Sequence, residues 1–499
     1  MLLQVVATTN NNTPRRREML LNLLYQNNGK NQLEKPVFTN PSIKIEENNR
    51  ATLCSFSGIS CIRNLIEKLD IAEKIDQNLK ILKIHKPYME SDHILNFVYN
   101  FLTGGDAIND IERLQTDEGF LKIIGAQKIP DPTTAGDFLV RFNREDINKF
   151  QEIIDSIQDH AFSLLPERKK ITATIDADSS IHEVYGNKKE GADYTYNKTY
   201  CYNAYYMTLM ETGDVLYQDL RPGNTYSSSG TSEQLPNVID RLKRHFQNII
   251  FRGDSAFYDK EIARNCDEQD AEFFITADQT ARLFNELAKV KEESWHPLIL
   301  KEDNGQKKKR SKRRNNKLRV MRKYGKRPRK IVSEEITSFN YVPTGWNKEY
   351  RIVAKRKKIE EDQLYLDDSL CKYTYHFIIT NSKRNDKNVM KIAQARGNQE
   401  NLIKDFKYGL SLSHIPTGFL NANIMYFKIA ALAWNIKTWF LNLLSAGSGA
   451  VIRFKSFLVN WIFKAATIAK NGSNRIIIRM DRGEYLSRYN KAFGIISKI

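Results

Sequence analysis

Beyond Lys170 the hydrophobic period of the chain becomes two residues, and no other feature so restricts what it can fold into. The strand "ITATIDADS" is followed by "TYCYNAYYMTLMETGDVLYQDLRP", where Glu211-Thr212-Gly213-Asp214 reads as a hairpin turn, so three strands come in a row. A helix near Ser232 to Phe246, the strand "NIIFRGD", a helix from Tyr258 to Cys266 and the strand "AEFFITA" complete the block. Strand, strand, strand, helix, strand, helix, strand describes an α/β sheet in which an antiparallel hairpin joins parallel strands.

Ribonuclease H-like folds have this order of elements. The expected fold class is therefore α/β, a ribonuclease H-like core interrupted by a β-rich insertion, with a helical N-terminal domain. A chain of 499 residues at 41% hydrophobic content is too long for one ordinary core, which calls for several domains. Residues 1–50, rich in Asn, Lys and Arg, read as a mobile leader. Residues 51–165 carry apolar side chains every three or four positions, with "IPDPTTAGDF" placing Thr133 or Thr134 as a helix cap. Residues 166–278 form the first part of the core and 279–385 a β-rich insertion with a basic loop. Residues 386–445 hold the last helices of the core and 446–499 a C-terminal helical region that includes the strand "RIIIRM".

The formal charge of +18 points to a polyanionic partner, nucleic acid or an anionic membrane. The apolar span from Phe419 to Leu444 is interrupted by Lys428 and Lys437, so it reads as a buried amphipathic helix rather than a bilayer span, which leaves nucleic acid. Lys307 to Lys330 holds fifteen Lys or Arg among twenty-four residues with no acid, and is expected to contact DNA or RNA. Cys54, Cys61, Cys201, Cys266 and Cys371 form no C-x-x-C pair, so neither a zinc site nor a disulfide framework is expected. The N-terminus places its apolar run before its basic residues, the wrong order for a secretory signal.

In "ITATIDADS" the acids Asp176 and Asp178 share one strand face, opposite Ile175 and Ala177. Asp254 ends the next core strand, where α/β folds build their sites. At about 100° per residue, Arg396, Glu400 and Lys407 fall within about 40° of one another on a helix, with Lys404 close by. Each acid alone also suits a helix cap or an ion pair with lysine. Together they suit a trio of carboxylates holding Mg²⁺ or Mn²⁺, two ions, with the cations of the helix meeting phosphates. His182 reads as a packing histidine, and Trp434, Trp439 and Trp461 as core.

These motifs resemble the DDE transposases of prokaryotic insertion sequences, most closely the insertion-sequence-1380 type within the wider insertion-sequence-4-like group. "LTGGDAINDIERLQTDEGFLKIIGAQKIPDPTTAGDFLVRF" is similar to the family's N-terminal helical region. "IDADSSIHEVYGNKKEGA", "FRGDSAFY" and "RGNQENLIKDFK" are similar to its three catalytic segments. The resemblance implies that Asp176, Asp254 and Glu400 are the catalytic and metal-binding acids, with Asp178 an accessory neighbour, and that Arg396, Lys404 and Lys407 contact DNA phosphates. Wider relatives share a Y-(2)-R-(3)-E-(6)-K signature, whose Tyr position is Ala393 here. It further implies two-metal hydrolysis at terminal inverted repeats, joining of the 3′ ends to target DNA, a synaptic homodimer, and a cytoplasmic, nucleoid-associated protein. A catalytically silent DNA-binding derivative, a metal-dependent nuclease or resolvase of the same fold, and an RNA-binding protein remain as alternatives.

Overall fold

Alternating sequence becomes a sheet only where each strand finds a partner, and in the computed structural model the central strand finds one on both sides. The structure describes residues 44–45, 51–85, 87–186, 188–195, 197–298, 331–359, 373–445, 452–471, 475–481 and 483–499. The basic run Lys307 to Lys330 and nearly all of the N-terminal leader lie outside the described residues. Every element below belongs to the unit Thr52–Ile499.

The chain enters through β1 (Thr52–Cys54) and a run of helices whose longer members are α1 (Ile59–Lys68), α2 (Ile71–Asn78), α3 (Glu90–Leu102), α4 (Glu118–Ile124), α5 (Pro132–Leu139) and α6 (Arg144–Ser163). Side chains cap several of them. Asp131, not Thr133 or Thr134, caps α5, accepting from both of those backbone N–H groups at 3.0 Å. Pro132 explains the shift, because its fixed φ and missing donor suit the first helical position and leave the cap to the residue before it.

Ten strands then make one sheet: β2 (Thr172–Glu183), β3 (Asp193–Tyr194), β4 (Tyr200–Leu209), β5 (Val215–Pro222), β6 (Asn248–Gly253), β7 (Glu272–Thr276), β8 (His296–Pro297), β9 (Ile331–Tyr341), β10 (Tyr350–Ile359) and β11 (Tyr373–Thr380). Their order is β3-β4-β2-β6-β7-β11-β10-β9-β8, with β5 also on β4. β4 is antiparallel to β2 and to β5, while β2, β6 and β7 are mutually parallel. This is the ribonuclease H-like arrangement. The insertion strands continue the same sheet, because β11 pairs antiparallel with β7.

Alternation assigns the two faces. Ala173, Ile175 and Ala177 of β2 enter a core with α7 (Thr231–Lys243), α8 (Lys260–Glu268) and α9 (Ala281–Ala288). The opposite face is covered by α10 (Asp386–Gln394), α11 (Gly397–Gly409) and α12 (Leu420–Leu444). α12 is not amphipathic: sheet, N-terminal helices and C-terminal segment surround it, and nearly its whole length is buried, Lys428 and Lys437 included. It grips the β4–β5 turn, where Gly213 takes φ 84°: Trp434 Nε1 donates to Gly213 O at 2.9 Å, and the Asn435 amide brackets Val215 at 2.8 Å. No described helix is long and apolar enough to cross a membrane.

The C-terminal segment is less helical than its sequence suggests. β12 (Ala466–Asn471) pairs with β13 (Arg475–Arg479) and with β1, and α13 (Glu484–Ile496) follows. β1 has three residues and its ladder partner is far along the chain, Thr52 facing Ile468, so local pattern gives no sign of it.

Lys428 donates to Gln151 Oε1 and Gln218 O, and its burial brings its pKa down to about 8. Lys437 lies 3.3 Å from the Trp434 ring centroid, and burial, opposed by Asp405 and Asp214, brings it down to about 7. Between pH 7 and its ordinary value of 10.5 the unfolded chain binds a proton that the folded chain does not. Stability therefore rises with pH through that window, and the penalty for burying Lys437 is complete only below about 7. Lys437→Met should raise stability by a few kcal/mol more at pH 6 than at pH 10, measured by denaturant unfolding at both values; equal changes would show that Lys437 is not held neutral.

Candidate active site

The parallel register of β2 and β6 sets Asp176 directly beside Arg252. Both side chains point to the face covered by α10 and α11, away from water, and each is 2% exposed. Two unpaired charges there would cost several kcal/mol each, so they pair: Arg252 Nε and Nη2 each donate to Asp176 at 2.6 Å. The remaining end of the guanidinium donates to Ile392 O of α10 at 2.8 Å. Burial raises the pKa of Asp176 against the pull of Arg252. Both carboxylate oxygens are thus committed to the protein.

Two residues along the same strand face, Asp178 is in a different setting, its side chain 22% exposed. Asp254 follows Gly253 at the end of β6 and caps the next turn, accepting from Ala256 N at 3.0 Å. A Cβ on Gly253 would lie 2.6 Å from that of Phe257, so only glycine lets the chain turn here. One side chain bridges the two acids: Arg396 Nη2 lies 3.2 Å from Asp178 Oδ2 and its Nη1 3.4 Å from Asp254 Oδ2. The pKa of Asp178 is raised, first by burial and further by Asp254 and Glu400, while Arg396 and the Ser179 N–H lower it.

Asp254 and Glu400 are therefore the acids that act on Asp178. Asp176, expected in that trio, is instead held in its pair with Arg252, and Asp178, expected as an accessory, stands with the other two. Arg252 and Gln399 escaped the sequence reading. A signal existed for the first: an arginine inside the apolar strand "NIIFRGD" requires a buried partner, and an acid on the adjoining strand supplies it.

α11 is fastened to the backbone of β2. Gln399 Nε2 donates to Asp176 O at 2.7 Å and Arg396 Nη2 to Ala177 O at 3.0 Å, fixing the first turn that carries Glu400. Glu400 and Lys404 are exposed, whereas Lys407 is half-buried and donates to Ile181 O. Ala393 packs against the cluster of Val389 and Met390. His182 is a packing residue, bonded to Leu412 O at 2.8 Å and Tyr206 Oη at 3.2 Å; burial brings its pKa down to about 3.

Carboxylates sharing one guanidinium already have a cationic group between them, and their hard oxygens have the chemistry of a divalent-ion site. Among the described residues no group of three or more His, Cys, Asp or Glu is placed to hold a metal ion. The donor set fits a divalent cation in kind, with Arg396 holding the acids.

A family model described as transposase DDE domain group 1 matches residues 35–493. None of the curated proteins compared with the chain matches it. Among solved structures it is similar to the cryo-EM structure of the piggyBac transposase synaptic complex with hairpin DNA, at 11% identity and a TM-score of 0.42, over 81% of this chain and 79% of that one.

The two strand acids should separate experimentally. Asp176→Asn leaves Arg252 buried with half a partner and should cost about 3–5 kcal/mol of stability, whereas Asp178→Asn relieves a crowded, partly buried charge and should cost less than about 1 kcal/mol. Chemical denaturation of the two variants checks this; equal losses would contradict the division of labour.

Proposed function

The chain belongs to the group 1 family of DDE transposases, and from that premise we propose that it is the transposase of an insertion sequence of the insertion-sequence-1380 type. It binds the terminal inverted repeats of its own element, cleaves the ends by hydrolysis and joins the freed 3′ ends to target DNA. The motifs around Asp178, Asp254 and Glu400 support the assignment to that type.

The observation that carries the site assignment is the single guanidinium of Arg396 spanning Asp178 and Asp254. Asp178, Asp254 and Glu400 are the acids that would hold Mg²⁺ or Mn²⁺. DDE transposases generally use divalent ions, which when bound supply Lewis-acid activation of water or a 3′-hydroxyl and neutralise charge at the phosphate. The protein's own part is positional. The Asp176–Arg252 pair locks β2 against β6, so that Asp178 and Asp254 keep their separation. Gln399 and Arg396 lock α11 to β2, which keeps Glu400 beside them. Arg396 orients two like-charged acids in the DNA-free protein and presents its guanidinium to a phosphate oxygen when DNA is bound. Lys404, exposed on the same helix, adds a phosphate contact, and Lys407 continues the basic line beyond it. Two element ends must be held together, which calls for a synaptic homodimer, and the N-terminal helices and basic insertion are its further DNA contacts.

Magnesium should raise the unfolding midpoint of the DNA-free protein, by about 2.7 kcal/mol at a hundredfold excess over its Kd, and Asp178→Asn should remove most of that gain. Undiminished stabilisation of the Asp178→Asn protein would exclude Asp178 as a ligand. Glu400→Gln should abolish strand cleavage while repeat-end DNA is still bound in EDTA; parallel loss of both would refute the catalytic role. Offering a donor end together with a supercoiled plasmid should give joined products, where a simple nuclease would give only cut ones.

A further inference from the structure

β2 and α11 run side by side in the same direction, and the contacts between them continue beyond the acids. At the acid end Gln399 and Arg396 hold the backbone of Asp176 and Ala177; further along Lys407 reaches Ile181 O, and His182 meets Leu412 O just after the helix. Both elements then lead into a cavity of about 480 Å³ whose walls include Glu183, Tyr185, Lys189, Lys407, Tyr408 and His414. Helix rise puts Lys407 about 10 Å beyond Glu400, and strand rise puts Glu183 about 16 Å beyond Asp178.

The lining is unusual in what it exposes. Tyr185 is 88% and Tyr408 61% exposed, so neither ring contributes to the core. Lys407 extends over the Tyr408 ring, 5.6 Å from its centroid. Lys189 donates to Ile415 O and Thr417 O at 2.8 Å each, closing the wall behind the cavity. Two lysines against Glu183 leave the pocket net positive. Exposed aromatic faces beside ammonium groups match what binds an unpaired nucleotide, because only an unstacked base offers its face to a tyrosine. A base inside duplex DNA has both faces covered.

We infer that this cavity receives an unpaired nucleotide of the strand running through the active site, its base against Tyr185 and Tyr408 and its phosphate toward Lys407. At about 3.4 Å per nucleotide along the duplex axis, its distance from the acids places it about three to five positions from the cut. The identity of that strand rests on the transposase reading; the chemistry of the pocket does not.

The test measures, in EDTA, the anisotropy of a fluorescein-labelled oligo(dT) strand and of a duplex of equal length. Replacing both tyrosines by alanine should weaken oligo(dT) binding by about 10- to 100-fold and leave duplex affinity within about twofold, whereas the double phenylalanine protein should bind as wild type. The three proteins should unfold at the same midpoint, since both side chains are exposed. Repeat-end substrates carrying one abasic site at successive positions then locate the pocket. Wild type should lose affinity at one position about three to five from the cut, and the alanine protein should show no further loss there. Unchanged oligo(dT) affinity in the alanine protein, or an abasic penalty equal at all positions, overturns the inference. If the transposase reading alone fails, no end is cleaved but oligo(dT) binding still depends on the tyrosines. If the pocket alone fails, the alanine protein cleaves and binds as wild type.

Discussion

A buried ion pair, Asp176 with Arg252, is the contact on which the geometry of the acid site depends. It joins the two strands that carry the first two of the proposed site acids and, through Ile392 O, reaches the helix that leads to the third. Such a pair is weak evidence of stability, because desolvating both ions consumes most of what their attraction returns. Its value is in position: a bidentate fork tolerates one alignment of β2 on β6 and penalises any other. With the register fixed, Asp178 and Asp254 face a shared space from neighbouring strands.

The remainder of the site is arranged around repulsion. Asp178 is partly closed off from water with Asp254 and Glu400 acting on it, and the repulsion favours its protonated form. Arg396 relieves it from the helix side. The same side chain also donates to the backbone of β2, so charge compensation and helix docking are one interaction.

Much of this was legible in the sequence. The period-two runs gave the three leading strands, the Glu211–Asp214 turn gave the hairpin, and the alternation with helices gave the parallel pair. Resemblance pointed to Asp176, Asp254 and Glu400, of which the proposed site keeps the last two, and helical spacing put Arg396 with Glu400. The choice between Asp176 and Asp178 was not legible within the strand itself, because residues two apart share a face and a parity. What separates them is the neighbour across the ladder, Arg252 for one and open space near Arg396 for the other. The burial of α12 on all sides and the pairing of β1 with β12 were hidden for a similar reason, since the partners lie hundreds of residues away.

The junction between β7 and β11 has a mechanical consequence. Thr276, Ile275 and Phe274 are laddered to Ile378, Ile379 and Thr380, and Asn381 stitches the same seam, donating to Ala271 O and accepting from Phe273 N. The described insertion strands β9, β10 and β11 are accordingly a continuation of the central sheet. Tilting those strands against the acids would mean unzipping main-chain bonds of the sheet itself.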